Sequence, residues 1–220
     1  MKNKWIVVFD LDDTLYKEID FLQSAYCEIA TVIETKFSKQ EVLSFMMKSY
    51  QQKQDVFQEV INFYGLTIEK QELLHIYRTH RPKISLAKEV RTTLETLQNR
   101  GCILGLLTDG RKTTQSNKIE ALGLHNFINQ ENIIISEEFG SEKPTMRNYE
   151  YFMQHYPDKR YCYIGDNIRK DFVTPNILGW DTVCLLDDGR NIHHQELTIE
   201  KQFLPIHLIK SFEELLTIIA

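Results

Sequence analysis

The chain has 220 residues, of which 42% are hydrophobic and 26% are charged, a composition typical of globular proteins rather than disordered ones. Its formal net charge of −5 at pH 7 argues against a broad nucleic-acid-binding surface, which is normally basic. No apolar run approaches the roughly 20 residues that a membrane-spanning helix needs, so neither nucleic acid nor a membrane is an expected partner.

The four cysteines, Cys27, Cys102, Cys162 and Cys184, have no paired spacing such as C-x-x-C. This favours buried free thiols over a zinc site or disulfides. The first apolar run of the chain is also too short for the core of a signal peptide. Together these features predict a cytoplasmic protein.

Five short apolar runs mark the predicted strands, and each is near-continuous, as expected for parallel strands covered on both faces. They span residues 5–9, 103–107, 133–135, 161–164 and 182–186. Helical patterns separate the later runs. One starts near Val90 and stops at Gly101, and Ser211 with Glu214 forms a capping box for the last helix. The alternation predicts an α/β fold, with a three-layer Rossmann-like core around a parallel sheet.

The segment from residue 17 to residue 83 breaks this alternation, because it has helical periodicity but no convincing buried strand. Its clearest apolar stripe consists of Phe57, Val60, Ile61 and Tyr64. Ser38 with Glu41 offers another capping box. We therefore predict a small all-helical domain at 17–83, inserted into a core made of residues 1–16 and 84–220.

The first predicted strand runs into Asp10-Leu11-Asp12-Asp13-Thr14. Residues i and i+2 of an extended chain point to the same side, so Asp10 and Asp12 can face one pocket at the strand's carboxyl end. Two carboxylates this close suit a nucleophile beside a general acid, or a site for a hard metal ion. The alternative is a polar turn that caps the next helix, which the apolar strand before it and Thr14 after it make less favourable.

The second predicted strand leads into Thr108-Asp109-Gly110. A hydroxyl group followed by backbone amides near a helix start is a suitable cradle for phosphate. An ordinary strand-to-helix turn is the alternative, since all three residue types are common in turns.

Glu142-Lys143-Pro144 follows the third predicted strand. Proline suits the first turn of a helix, which would place Lys143 just before the helix begins. There its ammonium group could counter nearby carboxylates and a phosphate. An ordinary surface lysine is the alternative.

The fourth predicted strand is followed by Gly165-Asp166 and, five residues after Asp166, by Asp171. We expect Asp166 at the strand tip and Asp171 in the first turns of the next helix. Carboxylate and carbonyl oxygens are the ligands that Mg²⁺ prefers. The alternative makes Asp166 a helix cap and Asp171 a solvated residue.

All four segments follow predicted strands at one edge of a parallel sheet, where such sheets bind ligands. Asp10, Asp12, Asp166 and Asp171 would contribute four negative charges there, against the single positive charge of Lys143. A divalent cation is needed to hold such a cluster, and more so once a phosphate enters.

This ordered set closely resembles the haloacid dehalogenase superfamily. The matching motifs are D-x-D-x-T at 10–14, T-D-G at 108–110, K-P at 143–144 and G-D-x-x-x-x-D at 165–171. Residues 117–124 also look like the helix that follows the second motif in the phosphatase branch. The resemblance implies a phosphatase rather than a dehalogenase, because the dehalogenases lack the second aspartate, which is Asp12 here.

The resemblance also implies roles for the individual residues. Asp10 would attack phosphorus and form a phosphoaspartate, and Asp12 would protonate the leaving alcohol and then activate water. The groups expected to bind the phosphoryl oxygens are Thr108, the amides of Asp109 and Gly110, and Lys143, which would also steady Asp10. The groups expected to hold Mg²⁺ are the Asp10 carboxylate, the Asp12 carbonyl and Asp166, with Thr14 and Asp171 in support.

The helical insert follows the first strand directly, which is where some members of the resembled superfamily carry a cap. Such caps close over the phosphate site and select the leaving group. The branch it resembles contains nucleotide and phosphosugar phosphatases, so we expect a small phosphorylated substrate and a monomer or homodimer. Arg78, His80 and Arg81 could reach that substrate, although solvated hinge residues are the favoured interpretation. For His193 and His194, a loop after the last strand is favoured over a metal site.

Two alternatives keep the fold but change the function. One is a phosphotransferase or mutase of the same superfamily, which the sequence does not separate from a hydrolase. The other is a non-catalytic phosphate-binding regulatory module, against which the intact Asp10, Asp12, Lys143 and Asp166 argue. A two-component receiver also places an aspartyl phosphate, magnesium and a lysine at a sheet edge. Receivers are shorter, however, and take the acceptor aspartate from a later strand.

Overall fold

A computed structural model describes residues 5–219 of the chain. Within that range six parallel strands form one sheet in the order β3-β2-β1-β4-β5-β6. The strands are β1 (Trp5–Phe9), β2 (Ile103–Thr108), β3 (Ile133–Ile135), β4 (Arg160–Gly165), β5 (Asp181–Leu185) and β6 (His207–Ile209). The five predicted strands are confirmed, and β6 is an addition at the edge of the sheet.

Successive residues of the central strand pack into different hydrophobic clusters. Val7 and Phe9 belong to one cluster, whereas Ile6 and Val8 belong to another. Because side chains alternate along a strand, the two clusters lie on opposite faces of the sheet. Both faces are therefore covered, which is why the strands read as continuous apolar runs. The three-layer α/β fold is confirmed.

Helices supply both outer layers and the insert. They are α1 (Glu18–Phe37), α2 (Val42–Gln51), α3 (Val56–Tyr64), α4 (Lys70–Thr79), α5 (Lys88–Asn99), α6 (Lys112–Leu122), α7 (Ser136–Phe139), α8 (Met146–His155), α9 (Val173–Ile177) and α10 (Leu215–Ile218). Apolar side chains of α5 and α6 join the cluster that contains Phe9, while those of α8 join the cluster on the opposite face. Among residues 5–219, no helix combines the length and the apolar character needed to cross a membrane.

The first four helices lie between β1 and α5 and have a hydrophobic cluster of their own. Its buried members include Ile29 and Ile33 of α1, Met46 of α2, Val60 of α3 and Leu73 of α4. The helical character expected for this segment is therefore present. Its action as a cap, and its limits at residues 17 and 83, stay predictions.

Of the two capping boxes expected at helix starts, one is absent from the structure and one is present. Ser38 and Glu41 do not form a capping box: Ser38 ends α1 in the left-handed conformation, with φ of 53°. The amide of Val42, the first residue of α2, instead donates to the Glu34 carboxylate at 3.0 Å. The predicted capping box of Ser211 with Glu214 is present.

The thiols also differ in part from expectation. All four cysteines are free, and Cys162 and Cys184 are buried as predicted, but Cys27 is exposed and Cys102 only half-buried.

Candidate active site

The carboxyl ends of β1, β2 and β4 bring the predicted motifs together. Phe9 pairs with Leu106 on one side and with Ile164 on the other, so Asp10 leaves the sheet between two neighbouring strand ends. β2 and β3 lie on one side of β1, whereas β4, β5 and β6 lie on the other, so the strand order reverses at β1. In parallel sheets, ligands bind in the crevice outside the strand ends at such a point. The amide of Asp10 still donates to the Ile164 carbonyl at 2.8 Å, which fixes its position.

Lys143 is a buried cation that joins two carboxylates. Its Nζ lies 2.7 Å from Asp10 Oδ1, 2.8 Å from Asp171 Oδ1 and 3.1 Å from the Tyr163 hydroxyl. An ammonium group has three protons, so all of them are used. The backbone amide of Lys143 donates to Asp109 Oδ1 at 3.0 Å, which ties this turn to the end of β2.

The local structures around Lys143 and Asp171 differ from the predicted ones. Pro144 does not open a helix, because it lies in a turn and α8 begins two residues later, at Met146. Asp171 likewise lies in the turn before α9 rather than within a helix. Its Oδ2 accepts the amides of Asp166 and Asn167 at 3.1 and 2.8 Å, and these bonds close the turn.

The turn that holds Asp171 requires a glycine at position 165. A Cβ there would lie 2.7 Å from Asp171 Cγ, closer than side chains normally approach. We expect Gly165→Ala to displace Asp171 and, through it, Lys143. Thermal unfolding should show a loss of about 1–3 kcal/mol, and kcat should fall about 10- to 100-fold.

Gly65→Ala is the matched control. Unlike Gly165, Gly65 has a positive φ of 61°, but nothing lies within 4 Å of a Cβ placed there. The backbone strain should cost about 1 kcal/mol without changing kcat. Equal kcat values for Gly165→Ala and the wild type would contradict the proposed dependence of Lys143 on this turn.

Three buried carboxylates form a potential metal site. One oxygen each from Asp10, Asp166 and Asp171 lies within 4.8 Å of the others. Burial raises the pKa of Asp10 to about 7, even though the Lys143 ammonium opposes the rise. Burial and the charges of Asp10 and Asp171 raise the pKa of Asp166 to about 9. Once ionised, the cluster would carry more negative charge than Lys143 neutralises, and its hard oxygen donors suit a divalent cation such as Mg²⁺.

The Asp12 carboxylate points to a different set of partners. The Tyr16 hydroxyl and Lys118 Nζ donate to its Oδ1 at 2.5 and 2.7 Å, and Gln115 Nε2 donates to its Oδ2 at 2.9 Å. Burial alone would raise the pKa of Asp12, but the Lys118 ammonium and these hydrogen bonds outweigh it and lower the pKa. Asp12 is thus held as a carboxylate in the free protein.

Only part of the predicted phosphate cradle, residues 108–110, faces the space above the strand ends. Thr108 is buried, and its Oγ1 accepts a hydrogen bond from Gln115 Nε2 at 2.6 Å. The Gly110 amide donates instead to Ser136 Oγ at 2.9 Å.

A cavity of about 150 Å³ lies above these strand ends. Its lining contains six predicted residues and five that were not predicted as part of the site: Asp10, Asp12, Thr108, Asp109, Lys143 and Asp166, and then Asp13, Glu18, Asn167, Lys170 and His193. Asp171 and Thr14 lie behind this lining, where Thr14 Oγ1 donates to Asp166 Oδ1 at 3.5 Å. Gly110 is outside it.

Arg78, His80 and Arg81, near the end of the insert, do not line this cavity. His80 is buried rather than solvated: its Nδ1 lies 2.9 Å from the Tyr77 carbonyl, and its ring packs on Phe21. Arg78 and Arg81 border other depressions of the surface.

A sequence profile for the family described as haloacid dehalogenase-like hydrolase matches residues 7–183. The chain belongs to this family. This hydrolase is 28% identical to a glyceraldehyde 3-phosphate phosphatase of Methanocaldococcus jannaschii, over 94% of this chain and 98% of the relative. A phosphatase of the same name from Methanopyrus kandleri is 30% identical, over 80% of this chain and 82% of its own. This hydrolase therefore acts on phosphate monoesters.

The fold is shared with solved members of the family. The HAD-hydrolase YfnB from Bacillus subtilis, solved with magnesium bound, superposes with a TM-score of 0.70 at 20% identity and covers 99% of both chains.

Sequence reasoning missed three side chains that hold Asp12 in this hydrolase: Tyr16, Gln115 and Lys118. Lys118 is only 3% exposed, and its Nζ lies 4.3 Å from the centre of the Phe21 ring. The available signal was the spacing of Gln115 and Lys118, which places both on one face of α6. That face meets Asp12 only in the folded protein, where β2, which leads into α6, pairs with β1.

Proposed function

We propose that this hydrolase is a magnesium-dependent phosphatase of short phosphosugars that acts through a phosphoaspartate on Asp10. The observation that carries the proposal is the buried group of Asp10, Lys143 and Asp166 at the base of a small cavity. The full-length relatives named as glyceraldehyde 3-phosphate phosphatases support the substrate class.

The first half-reaction transfers the phosphoryl group to the protein. A bond forms between the Asp10 carboxylate and phosphorus as the bond from phosphorus to the leaving oxygen breaks. Thr108 holds the transferring group, and the positive charge of Lys143 stabilises it. An entering phosphate dianion raises the proton affinity of Asp12. Asp12 therefore takes up a proton from solvent as the substrate binds, and it passes this proton to the leaving oxygen, which departs as the alcohol.

The second half-reaction returns the protein to its starting state. Water attacks phosphorus and gives a proton to Asp12, and the bond to Asp10 breaks, which releases inorganic phosphate. Mg²⁺, when bound by Asp10, Asp166 and the Asp12 carbonyl, would neutralise charge on the carboxylates and on the phosphoryl oxygens.

The size of the cavity supports a short leaving group. Its volume of about 150 Å³ equals about five water molecules at about 30 Å³ each. That space suits a phosphoryl group and a short carbon chain better than it suits a nucleoside. Glu18, at the start of α1, lines the cavity and supports the proposal that the insert at 17–83 acts as a cap.

The function is tested by phosphate release from glyceraldehyde 3-phosphate, other short phosphosugars and nucleoside monophosphates, with and without magnesium. We expect the highest kcat/KM for a short phosphosugar, and activity only with magnesium. Release from none of these substrates would favour a regulatory module, and transfer to a second sugar without net release would favour a mutase. The cytoplasmic location and the monomer or homodimer stay predictions.

The raised carboxyl pKa values predict an unusual pH dependence of stability without metal. Asp10 and Asp166, with pKa values of about 7 and 9, keep protons in the folded protein that the unfolded chain has already lost. Folded protein then binds more protons than unfolded chain, so stability must fall as pH rises from about 4 towards 9. For a chain of this size each kcal/mol lowers Tm by about 2–4 °C, and we expect a drop of several degrees.

Thermal unfolding in a chelator, repeated with magnesium, measures this dependence. Magnesium binds the ionised carboxylates and should largely remove the loss at high pH. Asp166→Asn should make the dependence shallower in the chelator. A Tm that stays constant or rises across this range without metal would contradict the charge state inferred for the cluster.

A further inference from the structure

The loop that follows β5 brings His193 to the cavity. His193 lines the same space as Asp10, Asp12 and Lys143, although it lies far from them in sequence. Asp10 and Lys143 are buried, while His193 is exposed. The phosphoryl-binding end of the cavity is therefore the buried one, and His193 stands at the open end, where a leaving group would lie.

The backbone of this loop is held by internal hydrogen bonds. The Asp187 carboxylate accepts the amides of Gly189, Arg190 and Asn191 at 2.8, 3.0 and 3.0 Å. The Gln195 side chain closes the base of the loop by accepting the Asp187 amide at 2.8 Å. These bonds fix the loop conformation within the core.

The two residues before His193 are attached to carboxylates of the site. Asn191 Nδ2 donates to Asp166 Oδ2 at 3.1 Å, and the Ile192 amide donates to Asp13 Oδ2 at 2.8 Å. The position of the His193 backbone is thereby set relative to the groups that face the phosphate. Precise placement of this kind is what substrate orientation requires.

The His193 side chain is not used by the fold. Within residues 5–219, it takes part in no hydrogen bond, ion pair or ring contact. Other polar groups on the cavity lining are engaged: Lys170 Nζ lies 3.5 Å from Asp109, and Asn167 Oδ1 accepts the Arg169 amide at 3.2 Å. A well-placed but unpaired imidazole at the open end is available to a ligand.

We propose that His193 is a specificity-determining residue that hydrogen-bonds a hydroxyl or carbonyl oxygen of the sugar leaving group. A neutral imidazole has one donor and one acceptor nitrogen, so it can pair with either kind of oxygen. The inference rests on the proposed function, since it concerns the leaving group of a short phosphosugar.

The test compares two substrates with the same carbon number. Glyceraldehyde 3-phosphate carries a hydroxyl and a carbonyl oxygen beside its phosphate, whereas n-propyl phosphate carries neither. For His193→Ala, we expect kcat/KM for glyceraldehyde 3-phosphate to fall about tenfold, the effect of one lost hydrogen bond. The value for n-propyl phosphate should stay within about twofold of the wild type. His193→Gln, which retains a donor and an acceptor, should recover most of the loss.

His194→Ala is the matched control, because His194 is adjacent and exposed but does not line the cavity. It should leave both values unchanged. An equal loss on both substrates, no loss on glyceraldehyde 3-phosphate, or a matching loss in His194→Ala would overturn the assignment while leaving the proposed function intact. If the wild type released phosphate from neither substrate, the proposed function would fail, and this inference with it.

Discussion

Asp10→Asn is expected to lower kcat by at least about 10⁴-fold, because the amide is a poor nucleophile and the phosphoaspartate no longer forms. Lys143 should keep its place, since its contact of 2.8 Å with Asp171 does not depend on Asp10. The measurement is steady-state phosphate release, together with mass spectrometry of acid-quenched protein. Wild-type protein should show a phosphorylated fraction during turnover, and the variant should show none.

Asp158→Asn is the control for this substitution. Asp158 lies in a turn before β4, with φ of 58°, a conformation that asparagine tolerates well. Its variant should match the wild type in both measurements. Undiminished turnover in Asp10→Asn would exclude the assigned nucleophile.

Lys143→Met is expected to have the largest effect on stability. Methionine has a similar length but no charge, so Asp10 and Asp171 would face each other, buried, without a cation between them. Removing one partner of a buried ion pair costs about 3–5 kcal/mol. At about 2–4 °C for each kcal/mol, thermal unfolding should show a Tm lower by roughly 10 °C. Phosphate release should also fall sharply, because the transferring group loses its cation.

Lys112→Met is the control, because it removes the charge of a surface lysine instead of a buried one. The Lys112 side chain is 58% exposed and pairs with Glu138 at the surface, so its removal should change Tm very little. If the two variants had the same Tm, the Lys143 cluster would not contribute to stability in the way that its geometry indicates.

The sequence predicted five of the six strands because each is an apolar run covered on both faces. The sixth, His207–Ile209, has three residues, of which only Ile209 is buried. So short an edge strand leaves no periodic pattern to recognise. Its pairing with β5 depends on where the chain returns after a long loop, which is a property of the folded protein.

The candidate site was predicted where its residues follow strands, since parallel strands end at one edge of the sheet. The turn around Asp171 was not predicted, because a carboxylate five residues after a strand tip fits a helix as well as a turn. The amides of Asp166 and Asn167 decide between them by donating to Asp171. Lys118 was missed for a related reason: its partner Asp12 is 106 positions away in the chain.

The helical insert has a hydrophobic cluster of its own, so its packing and that of the sheet respond separately to substitution. Its packing centres on residues such as Ile29 and Val60, which do not belong to the clusters on the sheet. A cluster of this kind can open locally at a lower free energy than global unfolding. Substitutions within the insert should therefore be tolerated without weakening the strands that carry the candidate site.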